Sequence, residues 1–175
     1  MKAQNREFDH TGKKYALISV HDKRGVEELA SRLAEFRVIL ATGGTARYLE
    51  SRGVKVRRLS EITGIEESRI LKTLHPRVFE MIAKGEIDVV VVNLYPFSEK
   101  PCVENIDIGG VTLLRAAAKN FEIVLAISKR SQYREVIEKF PNVQELKRRY
   151  ACEAFKLASE YDRLIAGWFC MDQEV

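Results

Sequence analysis

The segment 87–92 reads IDVVVV and constrains the fold more than any other part of the sequence. An apolar run of this kind, rich in β-branched residues and with almost no polar alternation, is typical of a strand that helices cover on both faces. Such strands belong mostly to parallel sheets. We therefore predict that 87–92 forms the central strand of a parallel sheet.

Short strand-like and helix-like segments alternate along the rest of the chain. The patterns predict strands at 15–20, 37–41, 54–59 and 123–127, and helices at 26–36, at 46–52 with Gly53 at the C-terminal cap, from Pro76 onward, and at 111–119. The last third carries an apolar stripe at helical spacing, formed by Val143, Leu146, Tyr150, Leu157, Tyr161, Leu164 and Trp168. Strands that alternate with helices imply βαβ units. The predicted fold class is α/β, a single-domain three-layer sandwich with a parallel sheet between helices.

The length of 175 residues allows one well-buried domain and is too short for two of ordinary size. Residues 1–14 are charged, and we expect a flexible leader there, followed by one domain over 15–175. Neither a secretory signal nor an apolar run of about 20 residues is present, so we expect a cytoplasmic protein without a membrane partner. Three widely separated cysteines, Cys102, Cys152 and Cys170, favour reduced thiols over disulfides.

The formal net charge of +4 does not by itself indicate a nucleic-acid partner. The first 14 residues hold four basic and two acidic residues, and the remaining basic residues are interleaved with acidic ones. This pattern is typical of a solvated surface, and aromatic platforms for bases are lacking. A small phosphorylated ligand explains local positive charge equally well.

A glycine-containing turn joins the strand at 37–41 to the following helix. Its residues are Thr42, Gly43, Gly44 and Thr45. Glycines allow a close approach of the backbone to an anion, and a helix N-terminus offers N–H groups to it. The turn is thus a candidate phosphate site, and a simple tight turn is the alternative.

The first strand ends in a polar segment, SVHDKRG, at positions 19–25. Parallel strands present their carboxyl ends at one edge of the sheet, so Ser19 and Lys23 are expected near the glycine turn. Lys23 would then supply a countercharge to a phosphate. In the alternative interpretation this is a loop in which Asp22 caps the first helix.

The segment 69–76, RILKTLHP, places two cations, a hydroxyl and an imidazole in a stretch without a clear period. Arg69, Lys72 and Thr73 make it a candidate substrate loop. A solvated charge at Lys72 and a helix start at His75 are the alternatives. No HxxxH or HxH arrangement occurs, so we assign no metal site.

Polar residues follow the buried strand at 87–92 in a long connection, 93–110. Asn93 and Tyr95 would face a polar cavity at the strand end, and Asp107, Gly109 and Gly110 precede the next helix. Helix capping is the alternative role for Asp107. The same helix carries Arg115 and Lys119 on one face, where a solvated pair is the alternative.

These motifs together resemble a known family. The strings SVHDKRG, ATGGTA, KTLHP, NLYPF and IDIGGVTLLRAAAKN occur in the order and approximate spacing of the IMP cyclohydrolase domain of bifunctional purine-biosynthesis enzymes, over about residues 15–170. The resemblance implies a fold similar to methylglyoxal synthase. It also implies closure of 5-formamidoimidazole-4-carboxamide ribonucleotide to inosine monophosphate (IMP) and water, in de novo purine biosynthesis, without metal or organic cofactor.

The resemblance implies roles for individual residues as well. The ribose phosphate would be held by Lys23, Thr42, Gly44 and Thr45, and the heterocycle would be surrounded by Arg69, Lys72, Thr73, Asn93, Tyr95, Asp107, Ile108 and Gly109. Ser19, Asp22, Gly43 and Gly110 complete the predicted substrate-binding set. The predicted catalytic groups are Lys72, Tyr95, Asp107 and Lys119. Asp107 would orient or deprotonate the attacking carboxamide, and the other three would donate to the formyl oxygen.

Some positions depart from the family pattern. Arg69 lies three positions before Lys72 where the family has an arginine two before, Phe79 and Glu80 replace a His-Gly pair, and His21 stands where serine is commoner. The helix from Gly110 to Lys119 also extends about 13 Å, so Asp107 and Lys119 meet only if the loop folds back.

Two alternative functions and two expected partners accompany this prediction. A methylglyoxal-synthase-like lyase would use the same phosphate turn, and a regulatory nucleotide-binding module would have the same fold. The lyase does not explain NLYPF or IDIGGVTLLRAAAKN, and the regulatory module would not need Lys72, Tyr95, Asp107 and Lys119 together. The C-terminal aromatic stripe packs either internally or in a homodimer, and a separate formyltransferase is the other expected partner.

Overall fold

The computed structural model describes residues 12–65 and 73–170. In these two stretches, strands and helices alternate as predicted. The strands are β1 (Tyr15–Val20), β2 (Val38–Ala41), β3 (Arg57–Arg58), β4 (Ile87–Asn93) and β5 (Leu125–Ile127). The helices are α1 (Val26–Ala34), α2 (Gly43–Ser51), α3 (Leu59–Thr63), α4 (Pro76–Ala83), α5 (Ile108–Lys119), α6 (Tyr133–Lys139) and α7 (Gln144–Cys170), with 3-10 turns at Val103–Asn105 and Arg130–Gln132.

The strands form one parallel sheet in the order β3-β2-β1-β4-β5. The α/β fold class with a parallel sheet is therefore confirmed. The position predicted for 87–92 is wrong, because β1 occupies the middle of the sheet and β4 lies beside it. Burial on both faces of β4 requires helices above and below the strand, which a position next to the centre also provides.

Two apolar cores cover the two faces of the sheet. Alternate strand residues, such as Ile18 and Val91, pack with α1, α2 and α6 in one core. The intervening residues, such as Leu17 and Val90, pack with α3, α4 and α5 in the other. Helix α7 runs along β5 and contributes to both cores, with Tyr150 in the first and Ala154 in the second. The result is a three-layer sandwich.

The predicted strand at 54–59 is mostly wrong. Only Arg57 and Arg58 pair with β2. Gly53 has a positive φ of 80° and ends α2 as predicted, and the Val54 N–H still bonds to the Leu49 carbonyl of that helix. Leu59 already begins α3. Val54 is therefore bonded to the end of α2 and Leu59 belongs to the start of α3, and these are the two ends of the predicted strand.

Local capping explains where two other helices begin. His75 is the N-cap of α4, its Nδ1 accepts a hydrogen bond from the Arg77 N–H at 3.1 Å, and Pro76 occupies the first turn as predicted. Helix α5 begins at Ile108, three residues earlier than predicted, because Asp107 caps it. Among the described residues, none of the helices combines the length and apolarity needed to cross a bilayer.

A bidentate ion pair joins β4 to the start of β2 at the amino edge of the sheet. The Arg37 Nε and Nη2 atoms lie 2.7 Å from the two carboxylate oxygens of Asp88. The side chain of Asp88 is 9% exposed and that of Arg37 is 20% exposed. Because the pair is largely shielded from water, it belongs to the folded core rather than to the solvated surface.

Candidate active site

The described residues enclose a cavity of about 750 Å³ at the carboxyl edge of the sheet. From β1 the chain proceeds to β2 and β3 on one side, and then returns to place β4 on the other side of β1. Ligands of open α/β sheets bind in the crevice where the strand order reverses in this way. The volume suits a ligand of nucleotide size.

One end of the cavity lies at the N-terminus of α2. Thr42 is the N-cap residue of this helix, and its hydroxyl oxygen lies 3.2 Å from that of Ser19. The buried Thr45 hydroxyl lies 3.2 Å from the backbone N of Val20. A Cβ at Gly44 would meet nothing within 4 Å, so the space above this residue is open. Hydroxyl groups and the positive end of a helix dipole converge here, an arrangement that favours an anion such as phosphate.

Asn93 connects β4 to the turn that follows β1. Its Oδ1 accepts hydrogen bonds from the N–H groups of His21 at 2.6 Å and Asp22 at 3.0 Å, and its Nδ2 donates to the Asp22 carbonyl at 2.8 Å. The Asn93 amide also bonds to the Tyr133 hydroxyl. Burial raises the pKa of Tyr133 to about 12, against the smaller opposing effect of that bond. Asn93 thus fixes the shape of the cavity wall.

The turn after β1 carries two charged site candidates, Lys23 and Asp22, which lie in different surroundings. Lys23 lines the cavity, and its Nζ lies 3.2 Å from the His21 carbonyl. Asp22 instead bonds to Arg24, whose side chain and backbone N–H hold the pKa of that carboxyl well below its usual range. Asp22 does not line the cavity. The alternative role of Asp22 as a helix cap is wrong, because Gly25 is the N-cap of α1.

The other end of the cavity lies at the N-terminus of α5. The Asp107 Oδ1 accepts a hydrogen bond from the Gly110 N–H at 2.7 Å and so caps the helix. A Cβ at Gly110 would lie 2.5 Å from the Asp107 Oδ2, and a Cβ at Gly109 would lie 2.6 Å from the Thr73 hydroxyl oxygen. A Cβ at either glycine would therefore displace a side chain that packs against the helix start. Asp107 thus both caps α5 and lines the cavity.

Aromatic and apolar side chains form the wall and rim beside Asp107. The rings of Tyr95 and His21 meet edge to face with centroids 5.2 Å apart, and both residues line the cavity. Val103 and Ile108 also line it while remaining 63% and 61% exposed. Apolar surface beside the polar groups of this cavity suits a planar ring, because burial of the apolar ring faces away from water is favourable.

Comparison with known proteins places the chain in a family. The MGS-like domain profile matches residues 25–127, which is more than half of the chain. The chain belongs to the MGS-like domain family. The model of a second family, the AICARFT/IMPCHase bienzyme, matches residues 117–175 of the chain. The two matches together extend from α1 to the end of α7 and beyond.

Several relatives are similar over most of this MGS-like domain. The bifunctional purine biosynthesis protein PurH of Clostridium beijerinckii is 42% identical over 193 positions, covering 93% of this chain and 38% of the relative. PurH of Bradyrhizobium diazoefficiens is 38% identical over 192 positions, covering 91% and 36%. The chain thus spans a little over a third of these relatives. The alignments are longer than the 175 residues of this chain, so the relatives carry insertions that it lacks.

A solved structure has the same architecture. The crystal structure of ForH superimposes with a TM-score of 0.76 at 29% identity, and the match covers 89% of this chain and 96% of that one. The resemblance drawn from the five motifs is confirmed by the relatives, and the methylglyoxal-synthase-like fold by the family match.

The structure brings most of the predicted site residues of this MGS-like domain together. The cavity is lined by Ser19, Lys23, Thr42, Gly44, Thr45, Thr73, Asn93, Tyr95, Asp107, Ile108, Gly109 and Gly110. Gly43, like Asp22, is not among the lining residues. Lys119 is the exposed last residue of α5 and also lies outside the lining. Arg69 and Lys72 fall outside the described residues.

Sequence reasoning missed part of the cavity wall. His21 and the segment 103–106 line the cavity, although neither was predicted to belong to the site. The unusual length of the connection 93–110 was the available signal for the segment 103–106. For His21 the signal was its position next to Asp22 and Lys23 at the end of the first strand.

Proposed function

We propose that this protein is an IMP cyclohydrolase, which closes 5-formamidoimidazole-4-carboxamide ribonucleotide to IMP and water in purine biosynthesis. One observation carries the proposal. A single cavity has a phosphate-type helix N-terminus with Thr42 and Thr45 at one end, and Tyr95 with Asp107 at the other. The substrate has the same polarity, with a ribose phosphate at one end and two adjacent amide groups on a planar ring at the other.

The α2 end of the cavity would hold the phosphate. The N–H groups at the N-terminus of this helix and the Thr42 hydroxyl offer donors, and Lys23 offers a cation on the same wall. The Thr45 hydroxyl bonds to the backbone N–H and carbonyl of Val20 and lines the same end of the cavity. The phosphate contact anchors the nucleotide while the base reaches toward α5. Binding energy spent far from the reacting atoms can then hold the two amide groups against each other.

The α5 end would carry the chemistry. The carboxamide nitrogen attacks the formamide carbon of the same molecule and a C–N bond forms. The C–O bond at this carbon then breaks, and the oxygen leaves as water with one proton from the carboxamide nitrogen and one from the formamide nitrogen. Asp107 would orient the attacking carboxamide and accept its proton, since its carboxylate is fixed by the cap bond to Gly110. Tyr95 would donate to the oxygen on which negative charge develops.

Two lysines complete the proposal on the strength of the resemblance. Lys72 belongs to the segment before Thr73, and Thr73 lines the cavity. Lys119 ends the helix that Asp107 caps, and twelve helical residues place it about 18 Å along the axis from the carboxylate. No side chain spans that distance, so a role for Lys119 in the same chain's cavity lacks geometric support and rests on the family alone.

The substrate has to be formylated before the ring can close. The reaction that supplies it is therefore a formyl transfer, and the relatives from Clostridium beijerinckii and Bradyrhizobium diazoefficiens are named as bifunctional proteins. We propose a formyltransferase as the functional partner and a homodimer as the assembly. Size-exclusion chromatography with light scattering tests the assembly.

The decisive experiment supplies purified protein with the formylated ribonucleotide, in chelator and without folate, and follows the absorbance of the hypoxanthine ring. We expect turnover, and none with dihydroxyacetone phosphate, the substrate that a methylglyoxal-synthase-like lyase would use. Asp107→Asn keeps a capping side chain but removes the negative charge, and should lower kcat by about 10²-fold.

Tyr95→Phe removes only the proposed donor and should lower kcat by a similar factor. Tyr48→Phe is the matched control, because the Tyr48 hydroxyl bonds to Glu27 and lies outside the cavity lining. Absence of ring closure by the folded wild-type protein, or conversion of dihydroxyacetone phosphate instead, would overturn the proposal.

A further inference from the structure

Helix α7 reaches the wall of the cavity through one hydroxyl group. Tyr161 lies on this helix, does not line the cavity, and bonds to the backbone of the segment 105–107, whose residues do line it. We propose that Tyr161 is a positioning residue, which holds this segment so that the Asp107 carboxylate faces the substrate. The inference rests on the proposed cyclohydrolase function.

The hydroxyl of Tyr161 makes two hydrogen bonds of opposite sense. It accepts from the Asp107 N–H at 3.0 Å and donates to the Asn105 carbonyl at 2.7 Å. The Asn105 side chain in turn donates to the Lys100 carbonyl at 2.8 Å. One phenol group thus links the Asn105 carbonyl to the N–H of Asp107, the residue that caps α5.

Packing holds the phenol ring itself in place. Phe97, which is 2% exposed, meets Tyr161 edge to face at 6.3 Å and Trp168 edge to face at 5.8 Å between ring centroids. These three residues are called the aromatic anchor below. Burial raises the pKa of Tyr161, so its hydroxyl stays protonated and remains a donor at neutral pH. The anchor therefore fixes the position of the hydroxyl from two turns of α7.

Loss of the Tyr161 hydroxyl should affect catalysis more than substrate binding. Loss of the hydroxyl removes the acceptor of the Asp107 N–H and the donor to the Asn105 carbonyl, while the Gly110 cap bond and the α2 end of the cavity remain. The phosphate would still bind, but the backbone at Asp107 would be less restrained, and the capped carboxylate would shift with that backbone relative to the attacking amide. A displacement of about 1 Å can reduce a rate by about 10²-fold. The effect should therefore appear in kcat rather than in KM.

The experiment compares Tyr161→Phe with Tyr150→Phe. Tyr150 is a buried tyrosine of the same helix, and its hydroxyl bonds to Gln132 and Glu135, away from the cavity. We expect Tyr161→Phe to lower kcat by about 10-fold or more with KM within about twofold of wild type. Tyr150→Phe should leave both constants unchanged.

Amide hydrogen exchange measured by NMR gives a readout that does not depend on turnover. The Asp107 N–H should exchange faster in Tyr161→Phe than in wild type, and at the wild-type rate in Tyr150→Phe. If Tyr161→Phe does not fold, Phe97→Leu keeps the hydroxyl but loosens the aromatic anchor, and the same shifts are expected in smaller size.

The outcomes separate the two proposals. If the wild-type protein closes the ring but Tyr161→Phe keeps the kcat and the Asp107 exchange rate of Tyr150→Phe, the positioning inference is overturned while the proposed function stands. If the wild-type protein does not close the ring, the proposed function fails. Faster Asp107 exchange in Tyr161→Phe would then still support positioning of the segment, and unchanged exchange would refute it.

Discussion

Substitution of Gly110 by alanine should separate the activity of this protein from its stability. The added Cβ would lie 2.5 Å from the Asp107 Oδ2 and 2.9 Å from Cγ and Oδ1. The carboxylate is the end of a flexible side chain and can rotate away, so the overlap is relieved by loss of the cap rather than by distortion of the backbone. The proposed proton acceptor would then leave its position.

Two opposite effects of Gly110→Ala on the free energy of unfolding nearly cancel. Loss of an N-cap costs about 1 kcal/mol, and replacement of a helical glycine by alanine gains up to about 1 kcal/mol. We therefore expect the free energy of unfolding of Gly110→Ala to stay within about 1 kcal/mol of wild type. The kcat should fall by about 10²-fold, because the carboxylate is displaced by more than 1 Å.

A double-mutant cycle isolates the cause. In an Asp107→Ala background there is no carboxylate for the Cβ to strike, so Gly110→Ala should be stabilising by about 0.5 to 1 kcal/mol and should not change the residual rate further. Gly167→Ala is the matched control, since a Cβ at that position in α7 meets nothing within 4 Å. It should be as stable as wild type or slightly more so, with normal turnover.

Urea denaturation and the hypoxanthine absorbance assay give the two quantities. The reasoning is refuted if Gly110→Ala turns over at the wild-type rate. It is equally refuted if the substitution lowers kcat by the same factor whether or not Asp107 is present.

Three further predictions concern the proton chemistry and the core. Lys72→Leu should slow cyclisation by about 10²-fold while the fold is retained in circular dichroism. Lys119→Leu should have this effect only through the cavity of a partner chain, because about 18 Å of helix separates Lys119 from Asp107. Asp88→Ala should lower the free energy of unfolding by about 3 kcal/mol in urea, because Arg37 would keep a largely shielded charge without its bidentate partner. Tyr133 has a raised pKa, so the folded state holds its proton more tightly than the unfolded state. Stability should therefore fall as pH rises from about 10 to about 12, less steeply in Tyr133→Phe.

Each of these predictions has a contrary result. Near-normal turnover in both leucine variants would remove the two lysines from the mechanism. A change below about 1 kcal/mol in Asp88→Ala would place the ion pair in the class of solvated surface pairs. A Tyr133→Phe variant with the alkaline stability profile of wild type would show that other groups dominate this range.

The layered fold and the location of the site were predictable from local sequence patterns. Apolar periodicity distinguishes strands such as β4 from helices such as α1, and parallel strands bring their carboxyl ends to one edge by geometry alone. In this sheet β2 and β4 flank β1, so Thr42 and Asn93 line one cavity with Asp107 although the central strand was assigned wrongly.

The remaining features depend on contacts that local patterns do not contain. Tyr161 bonds to a backbone group 54 positions away, and periodicity marked it only as a residue of an apolar stripe. The roles of Gly109 and Gly110 as space for Thr73 and Asp107 also require the packed structure. For Lys119 the helical rise predicted a wide separation from Asp107. The structure keeps that separation, because Asp107 caps the first turn of α5 and Lys119 ends its last turn.

The amide of Asn93 shows how a site residue can be essential without recognising anything. Both lone pairs of its oxygen are taken up by backbone N–H groups, and its nitrogen donates to a backbone carbonyl. A nucleotide could donate a hydrogen bond to this oxygen only by breaking one of those bonds. An alanine scan would score position 93 as a substrate contact, yet the lost affinity would come from a collapsed wall, and a redesign of specificity should leave this asparagine unchanged.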